Sequence, residues 1–325
     1  MFQKDHRYQF FTLSPLSIPG ANCRLACAER YFPMHPLICK LGLGAAQFGL
    51  DGGVPARGRP PEAEVRDILA HAALSGVRIL DTGAASPHGE AVLGAVMPRP
   101  ASFGVTVKAA RGDRGPDFVE AEARASLARL GLAKADAIMI QSAGDLFSPY
   151  GAALWDRLKA LRDAGLFARV GISAYVSDDP VGLSKRFKPD LIQAPASLLD
   201  QRLLVDGSLA AVRDLGVEVH LRSIFLNGLL FLPPDRAPSA LGKAAISRLS
   251  RARRLIAEGR SDPLQAALGF ALSRPEANAV IVGAATVGEL SAVLAAAVSP
   301  PPDLDWDDMA MDDPAALDPR RWAAA

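Results

Sequence analysis

The sequence predicts a parallel (β/α)₈ TIM barrel, and three observations carry that reading. Short β-rich runs alternate with helical patterns along the chain. Eight such runs fall between Ile38 and Val282. The runs are almost continuously apolar, as strands covered on both faces are. A doubly wound sheet is the competing architecture. It normally carries a Gly-rich phosphate turn after its first strand, and Gly42-Leu43-Gly44-Ala45-Ala46-Gln47 matches only half of one.

Taken in order, residues 1–36 mix aromatic residues, prolines and scattered charges without periodicity, and Met34 stands just before the first run. They are expected to form an irregular, disordered extension, or to reflect an upstream start site. There is no sustained apolar core of a secretory signal. The eight runs are Ile38–Leu43, Val77–Leu80, Phe103–Val107, Ala137–Ile140, Arg169–Ile172, Leu191–Ile192, Val217–Leu221 and Ala279–Val282. Apolar residues three and four apart mark helices at Glu62–Leu74, Phe118–Leu130, Ala152–Ala164 and Pro263–Leu272. The last opens on Ser261-Asp262 as cap with Pro263 in the first turn. Gly76, Gly131, Gly165 and Gly216 stand where helices stop. The interval from Phe225 to Arg260 reads as a loop followed by an Arg-rich helix, Lys243–Arg254, and a helix Val287–Ala297 follows the eighth run. One domain, residues 37–298, holds the barrel, and a proline-rich, acidic tail (299–325) with Trp306 and Trp322 is expected to pack on its surface.

Composition narrows the function classes. The 325 residues are half hydrophobic, with a net charge of +1, so no electrostatic case exists for nucleic acid or an anionic membrane. No apolar run reaches the roughly 18 residues of a spanning helix. The cysteines are Cys23, Cys27 and Cys39, an odd number that fits a reducing compartment, and a cytoplasmic location is expected. Cys23 and Cys27 have no following His or Cys pair at zinc-finger spacing, so no metal site is expected.

In a barrel of this kind the carboxyl ends of the strands converge on one pocket. Reading them off gives Gln47, Asp81, Lys108, Gln141, Ser173, Gln193, Arg222-Ser223 and Gly283. Polarity rises at the end of any strand, so one such residue alone means little. Nearly a full ring of them points to a site.

The stretch Asp81-Thr82-Gly83-Ala84-Ala85-Ser86-Pro87-His88-Gly89-Glu90-Ala91-Val92-Leu93-Gly94 resembles the signature of the aldo-keto reductases. The resemblance continues through Gly42-Leu43-Gly44 with Gln47-Phe48-Gly49, Val107-Lys108, Gly171-Ile172-Ser173 and Ile192-Gln193-Ala194-Pro195. Arg222-Ser223-Ile224-Phe225-Leu226-Asn227-Gly228-Leu229-Leu230 and Ile281-Val282-Gly283-Ala284 complete it. These pieces are most similar to bacterial members whose first strand ends in Gln-Phe-Gly. The resemblance implies hydride transfer between NAD or NADP and a small carbonyl or alcohol substrate. It also implies a catalytic tyrosine activated by a lysine–aspartate pair, with a histidine orienting the carbonyl. Asp81 and Lys108 fall on that pair. Ser86 falls on the tyrosine and Gln141 on the histidine, so the proton-transfer half of the site departs from the family pattern. A serine hydroxyl is a far poorer acid than a phenol, and a glutamine does not protonate.

His88, two positions beyond Ser86, is a candidate replacement acid, since imidazole titrates near neutrality. Its bland alternative is an exposed loop histidine. Tyr150 and Tyr175 are further phenols in loops after strands. On the cofactor side, the resemblance places Ser173 and Gln193 at the nicotinamide carboxamide, and Arg222 with Ser223, Leu226 and Gly228 along the nicotinamide and pyrophosphate. Gly283, Ala284 and Thr286 fall at the anion site of a helix N-terminus. The segment Gly283–Glu289 has no Lys or Arg for an NADP 2′-phosphate, and its Glu289 would repel one. Alternatively, Thr286 simply caps a helix.

Three functions fit these residues. One is a nicotinamide-dependent oxidoreductase with an altered acid. A second is a degenerate barrel serving as a binding or regulatory protein. The third is a non-redox lyase or isomerase using Lys108 and Asp81.

Overall fold

A computed structural model describes residues 35–49, 58–82, 86–100, 102–238 and 241–324. Nearly all of the expected extension, with Cys23 and Cys27, therefore lies outside the described residues, as does Gly83-Ala84-Ala85 of the signature loop. The barrel begins with a short helix α1 (Pro36–Cys39), set by Pro36 in its first turn and by the His35 side chain at its cap. The first strand is accordingly shorter than the apolar pattern suggests, beginning at Leu41 and not at Ile38. A proline with a capping residue before it starts a helix more readily than a strand.

Eight parallel strands close on themselves in sequence order. They are β1 (Leu41–Gly44), β2 (Ile79–Asp81), β3 (Gly104–Lys108), β4 (Ala135–Ile140), β5 (Phe167–Ser173), β6 (Leu191–Pro195), β7 (Glu218–Arg222) and β8 (Ala279–Gly283). The ring closes where Gly42 of β1 pairs with Ile281 of β8. The fold is thus the (β/α)₈ barrel that the alternating runs predict. Around it lie α2 (Glu62–Ser75), α3 (Pro87–Val96), α4 (Pro116–Leu130), α5 (Gly151–Asp163), α6 (Pro180–Phe187), α7 (Arg202–Val205), α8 (Ser208–Asp214), α9 (Lys243–Glu258), α10 (Pro263–Leu272) and α11 (Val287–Val298).

The main core lies between the ring and its helices, where Leu80, Val107, Ile138, Ile172 and Leu221 meet residues such as Leu69, Leu93 and Leu158. A second cluster joins α9 and α10 to the tail through Met309, Met311 and Leu317, with Trp306 packed edge-on to Phe270. Gln201 donates to the Trp306 carbonyl at 2.6 Å, and Met311 donates its N–H to Leu199.

Inside the ring, the strand registers fix which side chains share a level. Closed eight-stranded barrels stagger their strands, so each level takes side chains from alternate strands. Applied to these registers, that stagger stacks Gly42, Thr106, Gly171 and His220. Above them come Asp81, Met139, Gln193 and Ile281. The top level is Gly44, Lys108, Ser173 and Arg222. At the opposite end Arg169 bridges Asp136 and Glu218, closing the floor with ion pairs.

Part of the signature stretch serves packing. Glu90 of α3 is fully buried and accepts from Arg129 Nε of α4 at 2.8 Å. Burial pushes its carboxyl up from the usual range, against the pull of Arg129. One turn on, Gly94 sits where a Cβ would lie 2.0 Å from the Arg129 carbonyl. Arg99 then ties the same corner by donating to the carbonyls of Gly94, Leu130 and Gly131. The close approach of the two helix backbones requires glycine. Gly94→Ala is expected to lower stability by about 2 kcal/mol in urea unfolding, because overpacking outweighs the helix-propensity gain of alanine. Unchanged or raised stability would show that the helices separate freely here.

Candidate active site

The site is built at the carboxyl ends of the strands. Asp81 ends β2, and its carboxylate accepts a 2.6 Å hydrogen bond from Lys108 Nζ at the end of β3. The Asp81 side chain is 6% exposed and that of Lys108 20%, so the ammonium reaches the mouth while the carboxylate stays beneath it. The second carboxylate oxygen, Oδ1, is buried without a partner. Removing the lysine would leave a buried, uncompensated charge, which typically costs several kcal/mol.

Ser86 is buried, and its Oγ accepts from the Gly89 N–H at 3.2 Å as the N-cap of α3. A Cβ on Gly49 would lie 1.6 Å from that Oγ, so the hydroxyl is wedged between the cap and the loop after β1. A tyrosine ring placed along the same bond would collide with Gly49. His88, in the first turn of α3, is exposed. Gln141, just past β4, is half-buried. Tyr150 is exposed ahead of α5, whereas Tyr175 is half-buried after β5.

On the other side of the mouth, Ser173 pairs in register with Gln193. Gln193 is fully buried, and neither Nε2 nor Oε1 has a partner. Arg222 ends β7. Its guanidinium lies over the Tyr175 ring at 4.1 Å and donates to the Ala174 carbonyl at 3.1 Å and to Ser223 Oγ at 3.3 Å. The chain turns at once, through left-handed conformations at Ser223, Leu226 and Asn227 and then at Gly228.

The end of β8 is tied to the first loop. Gln47 donates to the carbonyls of Gly44 and Ala284 at 2.7 and 2.9 Å. Thr286 caps α11 by accepting from Glu289 N. Two further donors at this helix start are also taken: Val287 N by Glu64 of α2 at 2.7 Å, and Ala285 N by Glu289 at 2.8 Å. Two carboxylates therefore stand where an anion would dock. Glu289 was legible as an acid in that segment; Glu64, more than two hundred positions earlier, was not.

A further pair escaped the sequence reading. Asp145, in the loop after β4, accepts from Arg111 Nη2 at 2.8 Å and from Gly112 N at 2.9 Å, in the loop after β3. Each lies a few residues beyond its strand end, where no periodicity relates the two. Burial opposes ionisation of Asp145, but Arg111 and the Gly112 N–H outweigh it and hold the carboxyl below its usual range. Among the described residues no group of three or more His, Cys, Asp or Glu could hold a metal ion, and no helix is long and apolar enough to cross a membrane.

Comparison with known proteins accounts for this arrangement. Residues 40–311 match the model of the aldo/keto reductase family. An aldo-keto reductase of Mycolicibacterium smegmatis is 31% identical over 126 residues, 38% of this chain. The match spans 44% of that relative, less than half its length. The fold is similar to that of an aldo-keto reductase of Bacillus halodurans. The holo form has a TM-score of 0.66 at 20% identity, covering 81% of this chain and 87% of that one. The apo form has a TM-score of 0.64 at 20% identity, covering 83% and 90%. The chain belongs to the aldo/keto reductase family, whose members generally use NAD(P)H.

Asp145→Asn should lower stability by about 2 kcal/mol at neutral pH. Because the folded carboxyl titrates below its unfolded value of about 3.9, the ionised form stabilises the fold above that pH. The gap between the two proteins should therefore stay constant above about pH 5 and narrow as pH falls below about 4. Denaturant melts across this range check it; a gap that widens toward acid would contradict the assignment.

Proposed function

We propose that this chain is a nicotinamide-dependent oxidoreductase of small carbonyl or alcohol compounds in which Lys108 itself serves as the proton donor and acceptor. The observation that carries the reading is the Lys108–Asp81 pair at 2.6 Å, set at the top of a ring whose far side holds Ser173 and Gln193.

The residues fit one end of the cofactor. A buried glutamine with both amide atoms unpartnered is complementary to a primary carboxamide, and Ser173 lies beside it. Those two side chains would hold a nicotinamide, with Ser223, Leu226 and Gly228 along its length. A bound nicotinamide supplies or accepts the hydride at the carbonyl carbon. The phosphate end discriminates. With Glu64 and Glu289 on the first amides of α11 and no Lys or Arg from Gly283 to Glu289, a 2′-phosphate meets repulsion, which favours NAD over NADP.

During reduction the carbonyl oxygen gains negative charge. The Lys108 ammonium donates a proton to it, and the Asp81 carboxylate keeps that ammonium oriented beforehand. Gln141 offers an amide N–H to the same oxygen but no proton. Ser86 contributes through the α3 cap, and His88, exposed in the first turn, stays outside the proton path.

Fluorescence titration with NADH and NADPH tests the reading. NADH is expected to bind at least about tenfold more tightly, equivalent to about 1.4 kcal/mol. Failure of both to bind at high micromolar concentration would favour a binding or regulatory barrel instead. Lys108→Met should lower the rate of reduction by about 10²–10⁴-fold while NADH still binds. Retained turnover would place the acid elsewhere.

A further inference from the structure

From the polar atoms inside the ring we infer a water site beneath the Lys108–Asp81 pair, held by Thr106 and His220, which act as positioning residues for Asp81. The role given to the pair rests on the oxidoreductase reading above; the water site itself does not.

Three buried polar atoms of the interior have no partner among the described residues: Asp81 Oδ1, Thr106 Oγ1 and His220 Nδ1. The strands that wall them in are all described. Gln193, whose amide is also unpartnered, is matched to the carboxamide in the reading above. Thr106 is fully buried and His220 is 1% exposed, so bulk solvent does not serve them. Asp81 and Thr106 stand side by side in the β2–β3 register, and His220 enters from β7 at the level of Thr106. The second ring nitrogen, His220 Nε2, faces Glu218 of the floor at 3.6 Å. A buried donor or acceptor left unpaired is costly, and three together would consume much of a domain's net stability. Protein interiors meet such groups with ordered water, which makes about three hydrogen bonds at a site of this kind.

The packing leaves room on the side where these atoms lie. Apolar side chains inside the ring form two separate clusters. Ala137, Met139 and Leu191, on β4 and β6, are fully buried. Ile79, Ala279 and Ile281 lie on β2 and β8, and there Ile79 and Ile281 keep 9% and 8% of their surface accessible although both face into a closed ring. Between those two strands β1 contributes only Gly42 and Gly44. A Cβ on Gly42 would lie 2.5 Å from Ile281 Cδ1, so that side chain keeps to the wall over the glycine. The loosely filled half of the ring, from β7 through β1 to β3, is the half that carries His220, Asp81 and Thr106.

Asp81 Oδ2 holds Lys108 Nζ at 2.6 Å. A carboxylate fixed through one oxygen turns easily about its terminal bond. Water on Oδ1 fixes the other oxygen, and with it the direction of the ammonium. The Thr106 hydroxyl both donates and accepts, and a histidine nitrogen does one or the other according to tautomer, so the two side chains together can hold such a water. Both lie below the mouth and act on the reaction only through Asp81.

Thr106→Val removes the hydroxyl and keeps the shape. With water in place the melting temperature should fall by about 2–4 °C. In a dry interior the same change relieves an unpaired hydroxyl, so a rise, or no change, would overturn the inference. A crystal structure of the protein should show ordered water within hydrogen-bond distance of Thr106 Oγ1 and of Asp81 Oδ1 or His220 Nδ1; a dry ring overturns it as well. With para-nitrobenzaldehyde as the probe carbonyl and saturating nicotinamide, Thr106→Val and His220→Phe should each lower kcat by about ten- to hundredfold. The KM for the aldehyde and the affinity for nicotinamide should stay the same. His220→Gln, which still bonds water, should recover most of the loss. An unchanged kcat in Thr106→Val, or a His220→Gln variant as slow as His220→Phe, would overturn the positioning role. If His220→Phe does not fold, Thr106→Val and His220→Gln carry the kinetic test. If neither nicotinamide binds, the oxidoreductase reading fails, and the melting temperature and the crystal structure decide for or against the water site alone.

Discussion

The pairing of β1 with β8 is the constraint on which everything else depends. It closes the ring, and closure forces the stagger that decides which side chains share a level. Asp81 and Lys108 are 27 positions apart in sequence and on neighbouring strands, yet their 2.6 Å contact exists because register carries one carboxylate just beneath one ammonium. A sheet left open at this seam would separate β8, with its α11 carboxylates, from the loop that Gln47 now ties to it. Gln47 strengthens the seam by accepting no competing role: both of its donor contacts go to backbone carbonyls on either side.

Electrostatics then divides the mouth. Lys108 at the end of β3 is paired with Asp81, and Arg222 at the end of β7 lies on Tyr175, while the start of α11 carries two carboxylates on backbone donors. Helix N-termini attract anions, and here that attraction is met from within the chain by Glu64 and Glu289. On the proposed reading, the Lys108–Asp81 pair serves direct proton transfer by the lysine.

Much of this was legible from residue patterns. Alternating apolar runs and helical spacing revealed the barrel because both faces of each strand are covered. The polar ends of those runs marked the ring of groups because a strand inside a barrel tolerates polarity only at its mouth. The departures at Ser86 and Gln141 were visible as residue types. What they do was not. Ser86 proved to cap α3 against Gly49, a contact that depends on how two loops pack. The helix at Pro36–Cys39 replaced the start of the expected strand, because a local cap overrode an apolar run. Asp145 with Arg111, Glu64 with Val287 and Arg222 with Tyr175 all join segments far apart or in irregular loops, where no periodicity relates one partner to the other.

The amino-acid order by itself determined the architecture, the family and the identity of the groups at the strand ends, since burial pattern and strand period are local properties of a chain. Only the tertiary structure decided which of those groups are neutralised and which are left charged. Charge compensation depends on distance in space: Lys108 and Arg222 look alike as strand-terminal cations, and three-dimensional packing alone supplies a carboxylate to the first and an aromatic ring to the second.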